Sequence, residues 1–239
     1  MSFENVYEDE LRARSYAQLG LPGTYYLAYR DLPAVLARHG GGTRALDFGC
    51  GTGRSSRFLK ERGYRVTGVD ISPQMIEQAQ ALDPTGDYRL VRDAAYEELG
   101  AGTFDVVLAA FTFDNIPGVG RRTSILGGLR DLLAPAGVIV LLDSTPEIYL
   151  HEWASFSTAE FAHNRTAGSG DVVSTRMTDV PDARPVNDVL WHHEDYLALF
   201  AAAGLRPVEV LHPLGLDTEP FAWVNETRIA PWVIYVLRR

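Results

Sequence analysis

Residues 45–72 read ALDFGCGTGRSSRFLKERGYRVTGVDIS, and their layout decides the fold. A short apolar run leads into a turn with three glycines at alternate positions, which are Gly49, Gly51 and Gly53. A polar helical segment follows, and a second apolar run ends at Asp70. This order of strand, glycine turn, helix and strand is typical of a βαβ unit whose turn holds a nucleotide cofactor.

The spacing of the glycines separates two kinds of cofactor. A dinucleotide-binding turn needs the spacing G-x-G-x-x-G, whereas Arg54 takes the place of the third glycine here. Asp47 lies at the end of the first apolar run, and its carboxylate would repel a diphosphate by Coulomb's law. The same carboxylate suits a ligand that carries an ammonium and a sulfonium group. The turn therefore favours a positively charged cofactor over a dinucleotide.

The rest of the chain alternates apolar runs with helical segments. The apolar runs are TRALDF (43–48), YRVTGVD (64–70), YRLV (88–91), FDVVLAAF (104–111) and GVIVLLDS (137–144). This regular alternation predicts a parallel sheet with helices on both faces.

Two more apolar runs follow a long aromatic, turn-rich stretch. Pro207 cannot donate to a strand ladder, so LRPVEVLHP (205–213) is predicted at a sheet edge and APWVIYVLRR (230–239) inside.

The segment LDFGCGTGR (46–54) resembles the D/E-x-G-x-G-x-G signature of class I methyltransferases that use S-adenosylmethionine (SAM), of the bacterial small-molecule type. The resemblance implies an α/β Rossmann-like fold. Its seven-stranded sheet would have the order 3-2-1-4-5-7-6, with strand seven antiparallel, helices on both faces and an insertion after strand five. We expect residues 1–239 to form one methyltransferase domain, with an N-terminal helical cap at 1–40 and an insertion at 146–191 as a lid over the methyl acceptor.

The resemblance also implies that SAM is the cofactor and S-adenosyl-L-homocysteine the product. The glycine turn would wrap the methionyl part, and the leading acid would help to hold its amino group. The acid that ends strand two would bind the ribose hydroxyls. The predicted cofactor-binding residues are Asp47, Gly49, Cys50, Gly51, Gly53, Arg54, Asp70, Ile71, Met75, Asp93, Ala94, Phe111, Thr112 and Tyr26.

The loops after strands four and five are expected to hold the methyl acceptor, because sheets of this type bind ligands at the carboxyl ends of their strands. Aromatic walls with a few polar groups fit a small organic molecule. The predicted acceptor-binding residues are Phe113, Asp114, Glu147, Tyr149 and Trp153. His151 and His192 are the candidates for a catalytic general base, because imidazole titrates near neutral pH. An acceptor that ionises by itself would need no base.

Charge and composition narrow the range of partners. The chain has 22 Lys and Arg against 31 Asp and Glu, a formal net charge of −9, with no basic block, so a nucleic-acid partner is not expected. No apolar run approaches the roughly 18 residues of a membrane span, and no membrane partner is expected. The one cysteine, Cys50, allows no internal disulfide. We expect a cytoplasmic monomer or homodimer that binds no metal.

The sequence therefore predicts an enzyme, a SAM-dependent methyltransferase that acts on an oxygen or nitrogen atom of a small metabolite, with carbon also open. The aromatic acceptor loops favour a secondary metabolite. Two alternatives stay open. One is an NAD(P)-dependent oxidoreductase, and the other is a protein that binds SAM without transferring a methyl group, either a cyclase or a regulatory binder.

Overall fold

The structure is a computed structural model that describes residues 23–92, 96–180, 182 and 184–239. Its helices are α1 (Thr24–Arg30), α2 (Leu32–His39), α3 (Arg54–Glu61), α4 (Pro73–Leu82), α5 (Val119–Leu132) and α6 (His193–Ala202). Its strands are β1 (Arg44–Phe48), β2 (Arg65–Asp70), β3 (Asp87–Leu90), β4 (Phe104–Ala110), β5 (Leu133–Ser144), β6 (Phe156–Ser157), β7 (Val172–Met177), β8 (Val186–Val189), β9 (Arg206–Leu211) and β10 (Trp232–Arg238). In the described part of the chain, no helix is long and apolar enough to cross a membrane.

The main sheet has seven strands in the order β3-β2-β1-β4-β5-β10-β9. The five strands from β3 to β5 pair in parallel, and β10 pairs antiparallel with both β5 and β9. This order confirms the predicted one, with β9 as strand six and β10 as strand seven. Pro207 lies on β9 at the edge of the sheet, where its missing N–H leaves no ladder bond unmade.

Each face of the sheet carries its own hydrophobic core, because successive strand residues point to opposite faces. Val106 and Val138 belong to a core that also contains residues of α1, α2 and α3. Their neighbours Val107 and Ile139 belong to a second core with residues of α5 and α6. The sheet is therefore covered by helices on both sides, as predicted. Strands β5 and β10 are apolar on both faces because both faces are buried.

Strand β5 begins at Leu133, four residues before the predicted start at Gly137. The chain passes directly from α5 into the strand, which contains Pro135 and Gly137. The pairing between β4 and β5 shifts register between Phe104 and Val106, and this irregularity accommodates the extra residues.

The stretch after β5 contains a second, smaller sheet that the sequence did not predict. Strands β6, β7 and β8 pair antiparallel in that order. Phe156, Val173, Met177 and Val186 from this sheet join the core that contains α1. The small sheet therefore packs on the α1 side of the main sheet. The limits of the cap (1–40) and of the insertion (146–191) stay predictions, and residues 1–22 lie outside the described part.

Candidate active site

The glycine turn between β1 and α3 has the left-handed backbone that favours glycine. The φ angles of Gly49, Gly51 and Gly53 are 69°, 52° and 79°. A Cβ atom added to Gly49 would lie 2.4 Å from the side chain of Thr112, so this glycine permits close packing of the turn on the end of β4. A Cβ on Gly51 would meet only the Met75 sulfur at 4.0 Å, so this glycine faces open space.

That open space is a cavity of about 520 Å³ at the carboxyl ends of β1, β2 and β4, which we call the cofactor cavity. Of the predicted cofactor-binding residues, those that line it are Gly49, Cys50, Gly51, Arg54, Asp70, Ile71, Met75, Phe111 and Thr112. Further lining residues that the sequence analysis did not assign to the cofactor include Tyr25, Tyr29, Val91, Tyr96, Ile116 and Arg121. Asp93 and Ala94 lie outside the described residues.

Asp70 is the acidic group at the end of β2 and lines the cofactor cavity. One carboxylate oxygen accepts from the Gly51 N–H at 2.8 Å, and the other accepts from the Ser72 N–H at 2.9 Å. These bonds couple the side chain to the glycine turn and to the start of α4. Burial raises the pKa of Asp70, and the backbone amides oppose that effect. Each oxygen keeps a second lone pair for a ligand hydroxyl.

Asp47 does not line the cofactor cavity but is fully buried behind the glycine turn. One of its oxygens accepts from the hydroxyls of Ser55 and Ser56 at 2.7 and 2.5 Å, while the other has no hydrogen-bond partner among the described residues. Burial raises the pKa of Asp47 to about 6, against the lowering effect of the two serine hydroxyls. The sequence predicted that this carboxylate lies at the end of the first strand, but it did not predict that α3 covers the carboxylate.

Arg54, the first residue of α3, supplies positive charge to the cofactor cavity. Its guanidinium carbon lies 4.9 Å from the centre of the Tyr25 ring and 5.5 Å from that of Tyr29. Tyr25 and Tyr29 are four residues apart on α1, so both rings face the same way. Tyr26, the predicted cofactor residue, points elsewhere and packs its ring 4.9 Å from that of Phe221. The four-residue spacing of Tyr25 and Tyr29 was the sequence signal for this pair of rings.

Phe111 separates the cofactor cavity from a second space. Its φ of 59° is unusual for a bulky residue and indicates backbone strain at the end of β4. A smaller cavity of about 40 Å³, which we call the acceptor cavity, shares Tyr25, Phe111 and Asn115 with the cofactor cavity. Its other lining residues are Asp114, Ser144, Ile148, Tyr149, Phe156, Thr175, Val186, Asp188 and Trp232. The two cavities therefore adjoin.

The acceptor cavity is polar on one side. Asp114 is buried and accepts from the Ser144 hydroxyl at 2.7 Å, and Asp188 accepts from the Tyr149 hydroxyl at 3.2 Å. Burial together with the charges of Asp114 and Asp188 raises the pKa of Tyr149 well above its usual value, so this phenol stays protonated. The predicted acceptor residues Asp114 and Tyr149 thus line one cavity together.

A buried polar network supports the loop that carries Asp114. Arg122 is fully buried on α5 and donates to the carbonyl oxygens of Ile116 at 2.6 Å and Phe113 at 2.5 Å. It also donates to the Tyr196 hydroxyl, which in turn donates to Asp143. Burial and the neighbouring charge of Asp114 raise the pKa of Asp143 well above its usual value. No motif in the sequence marked this network.

Three of the predicted acceptor-binding residues line neither cavity. Phe113 is buried in the core that contains α5 and α6, with its ring 6.3 Å from that of Phe48. Trp153 is buried in the opposite core and donates to the Ile148 carbonyl at 2.9 Å. Glu147 lines a separate, more open cavity of about 630 Å³ beside Ser144. These three residues were predicted from the position of their loops after β4 and β5. Local turns within those loops decide which side chains face the acceptor cavity.

Neither of the two predicted catalytic histidines lines the cofactor cavity or the acceptor cavity. His151 lies 3.0 Å from Glu147 through its Nε2 atom and lines none of the described cavities. His192 precedes α6, and its backbone N–H donates to the Ser169 hydroxyl at 3.1 Å. It lines none of these cavities either. Gly53 is the N-cap residue of α3 and does not line the cofactor cavity, and a Cβ atom added to it would lie 2.7 Å from the Tyr88 hydroxyl oxygen.

Comparisons with known proteins agree with this geometry. A family model described as a methyltransferase domain matches residues 46–139. N-demethylindolmycin N-methyltransferase from Streptomyces griseus is 29% identical over 208 residues, which are 86% of this chain and 86% of that enzyme. 2-methyl-6-phytyl-1,4-hydroquinone methyltransferase from Synechocystis is 31% identical over 150 residues, 59% of this chain and 46% of that enzyme. The CcbJ methyltransferase from Streptomyces caelestis shares the fold, with a TM-score of 0.66, 21% identity and 97% of each chain covered.

The glycine turn, the acidic strand ends and the two adjoining cavities define an α/β enzyme that brings a cofactor and a second ligand together. The match over residues 46–139 and the similarity to N-demethylindolmycin N-methyltransferase support the class I SAM-dependent methyltransferase superfamily. That superfamily implies SAM as the cofactor, and the residues present fit it. Asp47 has a buried oxygen without a partner for an ammonium group, Gly51 leaves space beside the turn, and Arg54 offers charge for a carboxylate.

Proposed function

We propose that this methyltransferase holds SAM in the cofactor cavity and transfers its methyl group to a small molecule in the acceptor cavity. The observation that carries the proposal is that the two cavities share Tyr25, Phe111 and Asn115. SAM is an activated donor, so the protein has mainly to align the acceptor with the methyl carbon. Adjoining cavities at the carboxyl ends of the strands meet that need.

We assign the ends of the cofactor to different residues. Asp70 would accept from the two ribose hydroxyls, and Ile71 and Met75, next along the chain, would pack on the adenine. Arg54 would bind the methionyl carboxylate, because its guanidinium lies in the cofactor cavity beside the glycine turn. Asp47 would attract the methionyl ammonium from behind the turn through its unpartnered oxygen.

The acceptor is proposed to be a small, secondary metabolite methylated on nitrogen or oxygen. The aromatic walls of the acceptor cavity, with a few polar groups among them, support a small organic acceptor. The similarity to N-demethylindolmycin N-methyltransferase, which covers most of both chains, supports a small-molecule acceptor and favours nitrogen. Asp114 replaces His151 and His192 as the candidate for proton removal, because it lines the acceptor cavity.

The two alternatives are less well supported. A dinucleotide would place its diphosphate near the buried Asp47 and at a turn without the third glycine. A regulatory protein that binds SAM would need no second pocket beside the cofactor cavity, whereas a cyclase would, so the acceptor cavity argues only against the regulatory binder. A cytoplasmic location remains part of the proposal, and the buried free thiol of Cys50 supports a reducing compartment.

Calorimetric titration with SAM, S-adenosylhomocysteine and NADH tests the cofactor assignment. We expect SAM and its product to bind, and the Asp70→Asn variant to bind them about 10- to 100-fold more weakly, because charge-assisted hydrogen bonds to the ribose are lost. Asp131→Asn is the control, since Asp131 is exposed beside Arg130 and lines none of the described cavities. Unchanged affinity in Asp70→Asn would show that Asp70 does not hold the ribose. Binding of NADH in place of SAM would contradict the assignment altogether.

A further inference from the structure

We propose that the acceptor is an aliphatic amine, whose ammonium form binds between the Asp114 carboxylate and the aromatic rings of the acceptor cavity. The inference rests on the proposed function and narrows its substrate class. It concerns the charge of the acceptor, which the family alone does not specify. Three features of the acceptor cavity support it, and each is independent of the glycine turn.

The first feature is the sign of the charge. Asp114 is 6% exposed and Asp188 is 8% exposed, and both line the acceptor cavity. Among the described residues that line it, none is Lys, Arg or His. Asp114 accepts from the neutral hydroxyl of Ser144 and shares a hydrogen bond with the buried Asp143 carboxyl, and the Arg122 guanidinium of that network lies outside the cavity lining. An anionic acceptor would have to be desolvated beside a buried carboxylate, so a carboxylic acid is disfavoured.

The second feature is a cluster of aromatic rings that forms one wall of the acceptor cavity. Tyr25, Phe111, Phe156 and Trp232 all line it. The Tyr25 ring contacts the other three rings, and the Trp232 ring also contacts those of Phe111 and Phe156. The ring centres in these contacts lie between 4.7 and 5.9 Å apart. The faces of such rings attract cations, most strongly where water is excluded. A neutral alcohol would gain the apolar contact but not this attraction.

The third feature is a hydrogen-bond acceptor at the junction of the two cavities. Asn115 lines both cavities and donates its amide to the Phe111 carbonyl at 3.2 Å. Its side-chain oxygen is buried and has no partner among the described residues. Because the amide is oriented by its own hydrogen bond, the oxygen is left to accept from a ligand N–H. The junction is also where a transferred methyl group must pass.

The chemistry balances with these groups. The ammonium gives one proton to the Asp114 carboxylate, which frees the nitrogen lone pair. The nitrogen then forms a bond to the methyl carbon while the carbon–sulfur bond breaks, and that electron pair stays on sulfur. The products are a methylated ammonium, a neutral thioether and a protonated Asp114, which returns its proton to water when the products leave. No oxidant or further reactant is needed.

Three near-isosteric probes test the charge preference in the complex with S-adenosylhomocysteine. They are isopropylammonium, isopropanol and isobutyrate, measured by ligand-observed NMR titration at pH 7. We expect isopropylammonium to bind at least about tenfold more tightly than isopropanol, and isobutyrate not to bind, because only the cation meets both the carboxylate and the ring faces. Equal binding of the alcohol, preference for the acid or no binding of the ammonium would overturn the proposal.

Two variants test the residues named. Asp114→Asn should weaken isopropylammonium binding about tenfold and leave isopropanol binding unchanged, and Phe156→Leu should weaken only the cation, about threefold. Asp131→Asn is the control for loss of a carboxylate outside the cavity. The affinity for S-adenosylhomocysteine is measured first in every variant and reports folding. If wild type fails to bind that product, the proposed function fails. If it binds but shows no preference for the cation, only the amine assignment fails.

Discussion

Asp47 is a buried acid beside the glycine turn that does not itself line the cofactor cavity. Its carboxylate is fully buried, one oxygen is held by Ser55 and Ser56, and the other has no partner among the described residues. Burying an acid without a cation is costly, which is why its pKa is raised to about 6. This cost in folding free energy is consistent with a carboxylate whose role is to attract a positively charged ligand, and not to stabilise the fold.

The raised pKa of Asp47 predicts a characteristic dependence of stability on pH. The folded protein holds this proton more tightly than the unfolded chain, so its contribution to the unfolding free energy falls as pH rises through about 4 to 6. Relative to Asp47→Asn, we expect wild type to lose roughly 2–3 kcal/mol between pH 4 and 6.5. Urea denaturation of both proteins at the two pH values measures the difference. A constant difference would contradict a raised pKa.

Helix α5 illustrates the element scale, because two adjacent glycines in it have different surroundings. A Cβ atom on Gly127 would meet nothing within 4 Å, whereas one on Gly128 would lie 2.7 Å from the Tyr96 ring. Tyr96 is buried, packs 5.6 Å from the Phe48 ring and lines the cofactor cavity. Gly128 thus allows α5 to approach the ring that forms one wall of the cavity.

These two glycines form a matched pair for mutation. Gly127→Ala should raise the unfolding free energy by about 0.5–1 kcal/mol, because alanine favours the helix and has room. Gly128→Ala should lower it by about 1–3 kcal/mol and weaken SAM binding, because the Tyr96 ring has to move. Thermal unfolding and calorimetric titration of SAM give both quantities. Equal effects of the two substitutions would mean that Tyr96 is not held by α5.

At the scale of the whole molecule, Glu226 joins three distant segments. It is fully buried between β9 and β10 in sequence. One carboxylate oxygen accepts from the Thr24 hydroxyl and the Ala154 N–H, each at 2.7 Å. The other accepts from the backbone N–H groups of Val224 at 2.8 Å and Asn225 at 3.0 Å. The start of α1, the segment before β6 and the loop before β10 therefore meet at one side chain.

Removal of this carboxylate should be strongly destabilising. We expect Glu226→Ala to lower the unfolding free energy by at least about 3 kcal/mol, since four donors would lose their acceptor and one of them is the buried Thr24 hydroxyl. Glu209→Ala is the comparison, because Glu209 on β9 pairs with Arg38 and His39 near the surface and should cost less than about 1 kcal/mol. Guanidinium denaturation measures both. Similar losses would show that Glu226 does not hold the segments together.

The sequence predicted best those features of the site that depend on residues close to one another along the chain. The glycine turn and Asp70 lie within one βαβ unit, and the structure brings them to one cavity. Phe113 and Trp153 sit in the right loops but face the cores, because a 3-10 turn or a tight loop rotates their side chains inward. The sequence pattern predicts which loop a residue belongs to, but it does not predict the direction in which the side chain points.

The sequence alone determined the order of the seven strands, the edge position of Pro207 and the place of the cofactor turn. The edge position of Pro207 and the place of the turn follow from the residue types and from local hydrophobic periodicity. The strand order followed from the resemblance of the glycine turn to class I methyltransferases. Only the tertiary structure decided which side chains form the acceptor cavity, since Tyr25, Asp114, Asp188 and Trp232 come from four separate segments. Their meeting depends on how the small sheet and α1 pack on the main sheet, and no local pattern encodes that packing.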